Sequence, residues 1–248
     1  EHLKSVIKSY DPNEKARYLS IVCSIYDFLK SNNIDTVLGT LVAKEIEDWV
    51  WHGNGFTSIN KILLSTPSMD LQPYCFTLPS ELQSFTDFIK SSGANIECTK
   101  MVLIAVLEEI AKNHSDSYNT SLDSQKDLLL AVNILNELKE QSSGMTDEQR
   151  EKIFVPVEAA NENEFKLLPI DQCTYSDIEW LRSGLLNMNL ADDKINIIHP
   201  NVSIATAEAL GVPTLMSRMI HHEDFGIKGF GQKEQLTSRL NRLLEDYK

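Results

Sequence analysis

Basic residues are in short supply in this chain. Lysine and arginine total 23 against 36 aspartates and glutamates, leaving a formal net charge of −13. Nonspecific nucleic-acid binding depends on basic side chains that neutralise phosphates, so this balance argues against it. Attachment to an anionic membrane surface fails for the same electrostatic reason. A dispersed acidic excess is chiefly a source of solubility, not a docking patch. Long apolar runs are lacking too. Charges interrupt every near-apolar stretch well short of the ~18 residues of a membrane span, so neither a spanning helix nor a secretory leader is expected. Cysteine is sparse: Cys23, Cys75, Cys98 and Cys173 stand far apart with no CxxC pair. That spacing suits neither a disulfide framework nor a zinc site and reads as reduced core residues of a cytoplasmic protein. The sequons at Asn113, Asn119 and Asn201 carry no meaning in that compartment. Low-complexity tracts and internal repeats are absent.

What remains is the composition of a folded, soluble protein, 42% hydrophobic and 24% charged. At 248 residues the chain can bury a substantial core, as one domain or two.

Asp11-Pro12-Asn13-Glu14 reads as a helix start, with a carboxylate at the N-cap, proline at N1 and glutamate at N3. This helix is expected to reach about Ser31 and to bury Tyr18, Ile21, Val22, Ile25, Phe28 and Leu29. Helical spacing of Leu38, Leu41, Val42, Ile46 and Trp49 predicts a second helix over about Thr36 to Trp49. Gly53-Asn54-Gly55 forces a turn, and residues 56 to 79 are irregular around Pro67, Pro73 and Pro79. Further helices are expected over about Ser80–Ser91, Cys98–Lys112 and Ser121–Gln141. The last carries Leu128, Leu129, Val132, Leu135 and Leu138 as one stripe. Ser142-Ser143-Gly144 is the best internal break. Beyond it, Phe154 to Val157, Phe165 to Leu168 and Ile195 to Ile198 read as short strands, followed by a helix from about Ser203 to Leu210 that Gly211 ends. The expected class is mostly α with a small β component, an α+β arrangement. A helical part covers 1–141, a mixed part 147–225, and a linker with a terminal amphipathic helix 226–248.

Chemistry-bearing residues are few, and each has a bland explanation. His221-His222-Glu223-Asp224 holds metal-ligand types, but adjacent side chains rarely converge on one ion and HExxH is absent. His199, before Pro200, could act as a general base or simply fix its loop through backbone hydrogen bonds. His52 reads as a packed or capping residue. Cys98 opens a helix, where a thiol pKa can fall, yet no paired base is evident. The Glu108-Glu109 and Asp192-Asp193 pairs read as surface charge. Gly226, Gly229 and Gly231 lack the Walker order of a phosphate loop. No catalytic, cofactor-binding or metal residue is therefore assigned. Two alternatives stay open: a metal- or small-molecule-dependent enzyme using His199 with His221 or His222, and an acidic helical adaptor for basic peptides.

The most informative stretch is the last. Leu236, Leu240, Leu243, Leu244 and Tyr247 fall at i, i+4, i+7, i+8 and i+11, one stripe that a helix must bury against something. Around them Phe230, Gly231, Gln232, Glu234, Thr237 and Arg239 complete an ordered Gly-Gln-x-Glu-x-Leu-Thr-x-Arg-Leu pattern. Upstream, the run from Ile198, His199 and Pro200 to Leu215 adds to it, as do Trp51-His52-Gly53-Asn54-Gly55-Phe56, Pro73-Tyr74 and Leu78-Pro79-Ser80-Glu81-Leu82. On these residues the chain resembles the sacsin repeat of giant multidomain co-chaperones, from Trp49 to Lys248 and most closely after residue 195. The resemblance implies the later, connecting part of a repeat that ends in the first helix of an ATPase module like that of the ninety-kilodalton heat-shock chaperone. In such modules the nucleotide and magnesium ligands come after this opening, so no complete nucleotide site is expected up to Lys248. Implied partners are neighbouring modules of the same large chain and the seventy-kilodalton heat-shock chaperone system, with self-association through the leucine stripe.

Overall fold

A computed structural model describes residues 2–31, 46–114, 122–158, 165–176, 196–215 and 217. The architecture is mostly α with short strands, the class expected from the sequence.

The chain opens with a short helix that sequence reasoning missed, α1 (His2–Lys8), which buries Leu3 and Val6. Asp11 then caps as anticipated: its carboxylate accepts from the Asn13 N–H at 2.9 Å, and Pro12–Glu14 form a 3₁₀ turn leading into α2 (Lys15–Ser31). Tyr18, Val22 and Tyr26, four residues apart, are the buried ridge of α2, with Ile21, Ile25 and Leu29 half-covered beside it. Phe28 departs from expectation and is 64% exposed. Two residues after Tyr26, it is turned roughly 200° round the helix, away from the core.

The helix expected over Thr36–Trp49 is corrected where it can be seen. Residues 32–45 lie outside the described residues, and 46–49 are irregular. Trp49, Val50 and Trp51 are all buried. A helix would aim three successive side chains in three directions, whereas extended chain covered on both faces accommodates them. Strand β1 (Val50–Trp51) turns through Gly53-Asn54-Gly55 into β2 (Phe56–Thr57), antiparallel, with Trp51 opposite Phe56. Strand β3 (Ile62–Leu63) pairs in parallel with β4 (Phe76–Thr77) on one edge and bridges to Asn95 on the other. The segment expected as one helix over 80–91 begins as a 3₁₀ helix (Ser80–Phe85), in which Leu82 and Phe85, three apart, stack on one buried side. It continues as α3 (Thr86–Ser91).

Helices α4 (Lys100–Asn113) and α5 (Leu122–Glu140) follow close to their expected bounds. They pack on a hairpin of β5 (Phe154–Glu158) and β6 (Phe165–Pro169), whose register sets Val155 opposite Leu168 and Val157 opposite Lys166. Strands β7 (Cys173–Thr174) and β8 (Asn196–Ile197) pair in parallel, and a Val157–Ile198 bridge joins them to β5. The short α6 (Asp147–Arg150) starts with a full capping box between Thr146 and Gln149. Helix α7 (Ile204–Leu210) is capped by Ser203 and closed by Gly211 at φ +87°, as its sequence foretold. On α5 the buried arc centres on Ala131, Ile134, Leu135 and Leu138. Leu129, expected in the stripe, lies roughly 200° from Ala131 and is 61% exposed.

Among the described residues the interior falls into two apolar clusters. One draws on α1, α2, the β1–β2 hairpin and residues 78–94. The other runs from Leu63 through α4 and α5 to β5, β6 and α7. Strand alternation divides them at β3, where Ile62 belongs to the first and Leu63 to the second. Residues on both sides of Ser142-Ser143-Gly144 share the second cluster. Arg150 reinforces that turn, donating to the Ser142 carbonyl at 3.3 Å and to the Ala209 carbonyl at the end of α7 at 3.2 Å.

Candidate functional site

Of the residues singled out upstream, Trp51 to Phe56 form the β1–β2 hairpin. The His52 N–H donates to the Gly55 carbonyl at 3.0 Å and closes the turn. Trp51 and Phe56 meet edge-on, with ring centroids 5.4 Å apart. Tyr10, in the link between α1 and α2, stands edge-on to Trp51, Phe56 and Tyr18 at 5.3, 5.9 and 5.2 Å. Such aromatic pairs each add about 0.5–1.5 kcal/mol beyond the area they bury. Lys15 at the start of α2 donates to the Asn54 side-chain oxygen at 2.9 Å. The His52 ring lies against Phe76 of β4, centroids 3.9 Å apart. The hairpin is thus a junction that fastens the N-terminal helices to the β3–β4 pair.

Gly53 sits at φ +101°, where L side chains are strained. A Cβ there would meet only the Pro79 ring at an ordinary 3.7 Å, so the cost of adding one is conformational. Gly53→Ala is expected to lower stability by about 1–2 kcal/mol, read as a lower urea midpoint at unchanged slope. A midpoint equal to wild type would show that the turn relaxes freely.

Burial lowers the His52 pKa, opposed by a hydrogen bond to its own backbone and aided by the Lys15 charge. With the folded value below the unfolded one, near 6.5, the unfolded chain binds more protons in the window between them. The stability His52 contributes is therefore present above about pH 6.5 and lost as pH falls through the folded value. His52→Gln is expected to reduce the drop in urea midpoint between pH 7.5 and pH 5. An unchanged pH slope in the variant would assign acid sensitivity to other groups.

His199 fastens its loop. It is buried, its Nδ1 accepts from the Asn201 N–H at 3.2 Å, and its own N–H donates to the Pro156 carbonyl at 2.8 Å. Its carbonyl accepts from Val202 at 2.9 Å, so Pro200 opens a tight turn between the 198 bridge and the cap of α7. Cys98 precedes the N-cap Thr99 of α4, and burial, with Glu137 nearby, raises its thiol pKa. Burial pushes Cys75 up to about 11. Burial thus disfavours the thiolate at both positions. Glu108 pairs with Lys112 at 2.8 Å, and Glu109 pairs with Lys61.

One polar cluster escaped sequence reasoning. His114, at the C-cap of α4, is buried, and its Nε2 lies 2.8 Å from the Asp127 carboxylate on α5. Its ring packs on Phe165 of β6 at 5.0 Å. The Tyr74 hydroxyl feels the charge of the same carboxylate and accepts from the Asn113 side-chain amide at 3.5 Å. Burial and Asp127 together raise the Tyr74 pKa, with Asn113 acting in the opposite sense. Among the described residues the buried His114 Nδ1 has no hydrogen-bond partner. No local spacing announces this cluster, because its members stand on separate elements, on α4, on α5 and near Tyr74.

The leucine stripe Leu236, Leu240, Leu243, Leu244 and Tyr247, its companions Gly231, Gln232, Glu234 and Arg239, and the His221-His222 run lie outside the described residues. So do Asp192-Asp193 and the glycines at 226, 229 and 231. Among the described residues no group of three or more His, Cys, Asp and Glu could hold a metal, and no helix is long and apolar enough to cross a membrane.

Over its whole length the chain aligns with a stretch of human sacsin, 27% identical across 256 residues, and it spans 5% of that protein. No family model matches the chain, and no solved structure does.

Proposed function

We propose that this chain is a non-catalytic structural segment of a sacsin-type co-chaperone, connecting and positioning ATPase modules within a much larger cytoplasmic protein. The observation that carries the reading is similarity along the entire chain to a small fraction of human sacsin. The motif residues support it by the way they are used. Trp51, His52, Gly53, Gly55, Phe56 and His199 all serve packing and turn formation. In this reading the stripe from Leu236 to Tyr247 docks on a neighbouring module. Clients and the seventy-kilodalton heat-shock chaperone system are partners of the parent assembly.

Thermal unfolding of the purified chain, alone and with Mg-ATP, zinc or EDTA, tests the proposal. A ligand at a hundred times its dissociation constant adds about 2.7 kcal/mol, roughly 5–10 °C in a chain of this size. The scaffold reading expects no shift with any of them. A rise with Mg-ATP would overturn it in favour of a nucleotide site, and a zinc gain or EDTA loss in favour of a metal site. The docking stripe has its own test: Leu240→Asp is expected to abolish any self-association measured by sedimentation, and a dimer that survives it would remove the stripe from the interface.

A further inference from the structure

We draw no further inference here: the strongest candidate, the buried His114–Asp127–Tyr74 side-chain cluster between the end of α4 and α5, presents one imidazole nitrogen without a hydrogen-bond partner, but nothing among the described residues supplies the further ligands that would show what it holds.

Discussion

Leu135→Ala is expected to cost about 2–5 kcal/mol of unfolding free energy, and to cost it on both sides of the Ser142-Ser143-Gly144 turn. Leu135 is fully buried on α5, in the cluster that holds Leu103 and Leu107 of α4, Val155 of β5, and Ala207 and Leu210 of α7. Removing its isopropyl group loses transfer energy and leaves a cavity in a region whose walls come from both halves of the chain. At roughly 2–4 °C per kcal/mol, the melting temperature should fall by about 4–20 °C. The informative measurement is amide exchange in wild type and variant. Protection in α4 and α5 and protection in β5, β6 and α7 should fall by the same amount, because one cavity weakens one cooperative unit. A loss confined to α4 and α5 would mean that the strands beyond residue 144 unfold on their own.

That sharing of a core is the part of the fold least visible in the sequence. Local signals were legible wherever the physics is local. Asp11 with Pro12, Ser203 with Gly211, and Gly53 with Gly55 mark element ends through backbone geometry and capping that involve only near neighbours. Strands β5 and β6 were legible as short apolar runs. Parallel pairings were not: β3 with β4, and β7 with β8, join residues separated by a dozen or more positions and leave no local pattern. Periodicity identified α2 and α5 but not the flank of each wide apolar arc that the core would cover. Hence Phe28 and Leu129 were expected inside and lie outside. Trp49 erred in the opposite sense, fitting a helical stripe by spacing while the run through Val50 and Trp51 is buried on every side. Of the candidate site, the hairpin residues could be anticipated from their glycines and aromatics, whereas the His114–Asp127 contact depends on how two helices pack.

The hydroxyl of Tyr26 gives the sharpest test of the N-terminal cluster. It is fully buried, donates to the Trp49 carbonyl at 3.0 Å and accepts from the Trp51 N–H at 3.2 Å. The irregular entry into β1 therefore has two backbone groups satisfied by one side chain from α2. Tyr26→Phe keeps the ring among Trp49, Phe85 and Phe88 and deletes only that oxygen. Both backbone groups are then left unpaired in the interior at about 1–3 kcal/mol each, so a loss of roughly 2–6 kcal/mol is expected. Tyr18→Phe is the control. Its hydroxyl donates to the Ser9 carbonyl in a partly exposed setting, where water can replace it, and the loss should stay below about 1 kcal/mol. Urea unfolding of the two variants decides the matter, and equal midpoints would show that the Trp49 and Trp51 groups find other partners. Alkaline pH offers a second readout. Burial raises the Tyr26 pKa above its ordinary value of 10, against the opposing pull of the Trp51 backbone bond. The folded state then holds a proton that the unfolded chain releases, so this share of stability is complete below about pH 10 and drains away as pH rises towards the folded value. Tyr74 acts in the same direction. Tyr26→Phe should therefore lose less stability than wild type between pH 9 and pH 11, and an equal loss would place the alkaline sensitivity elsewhere.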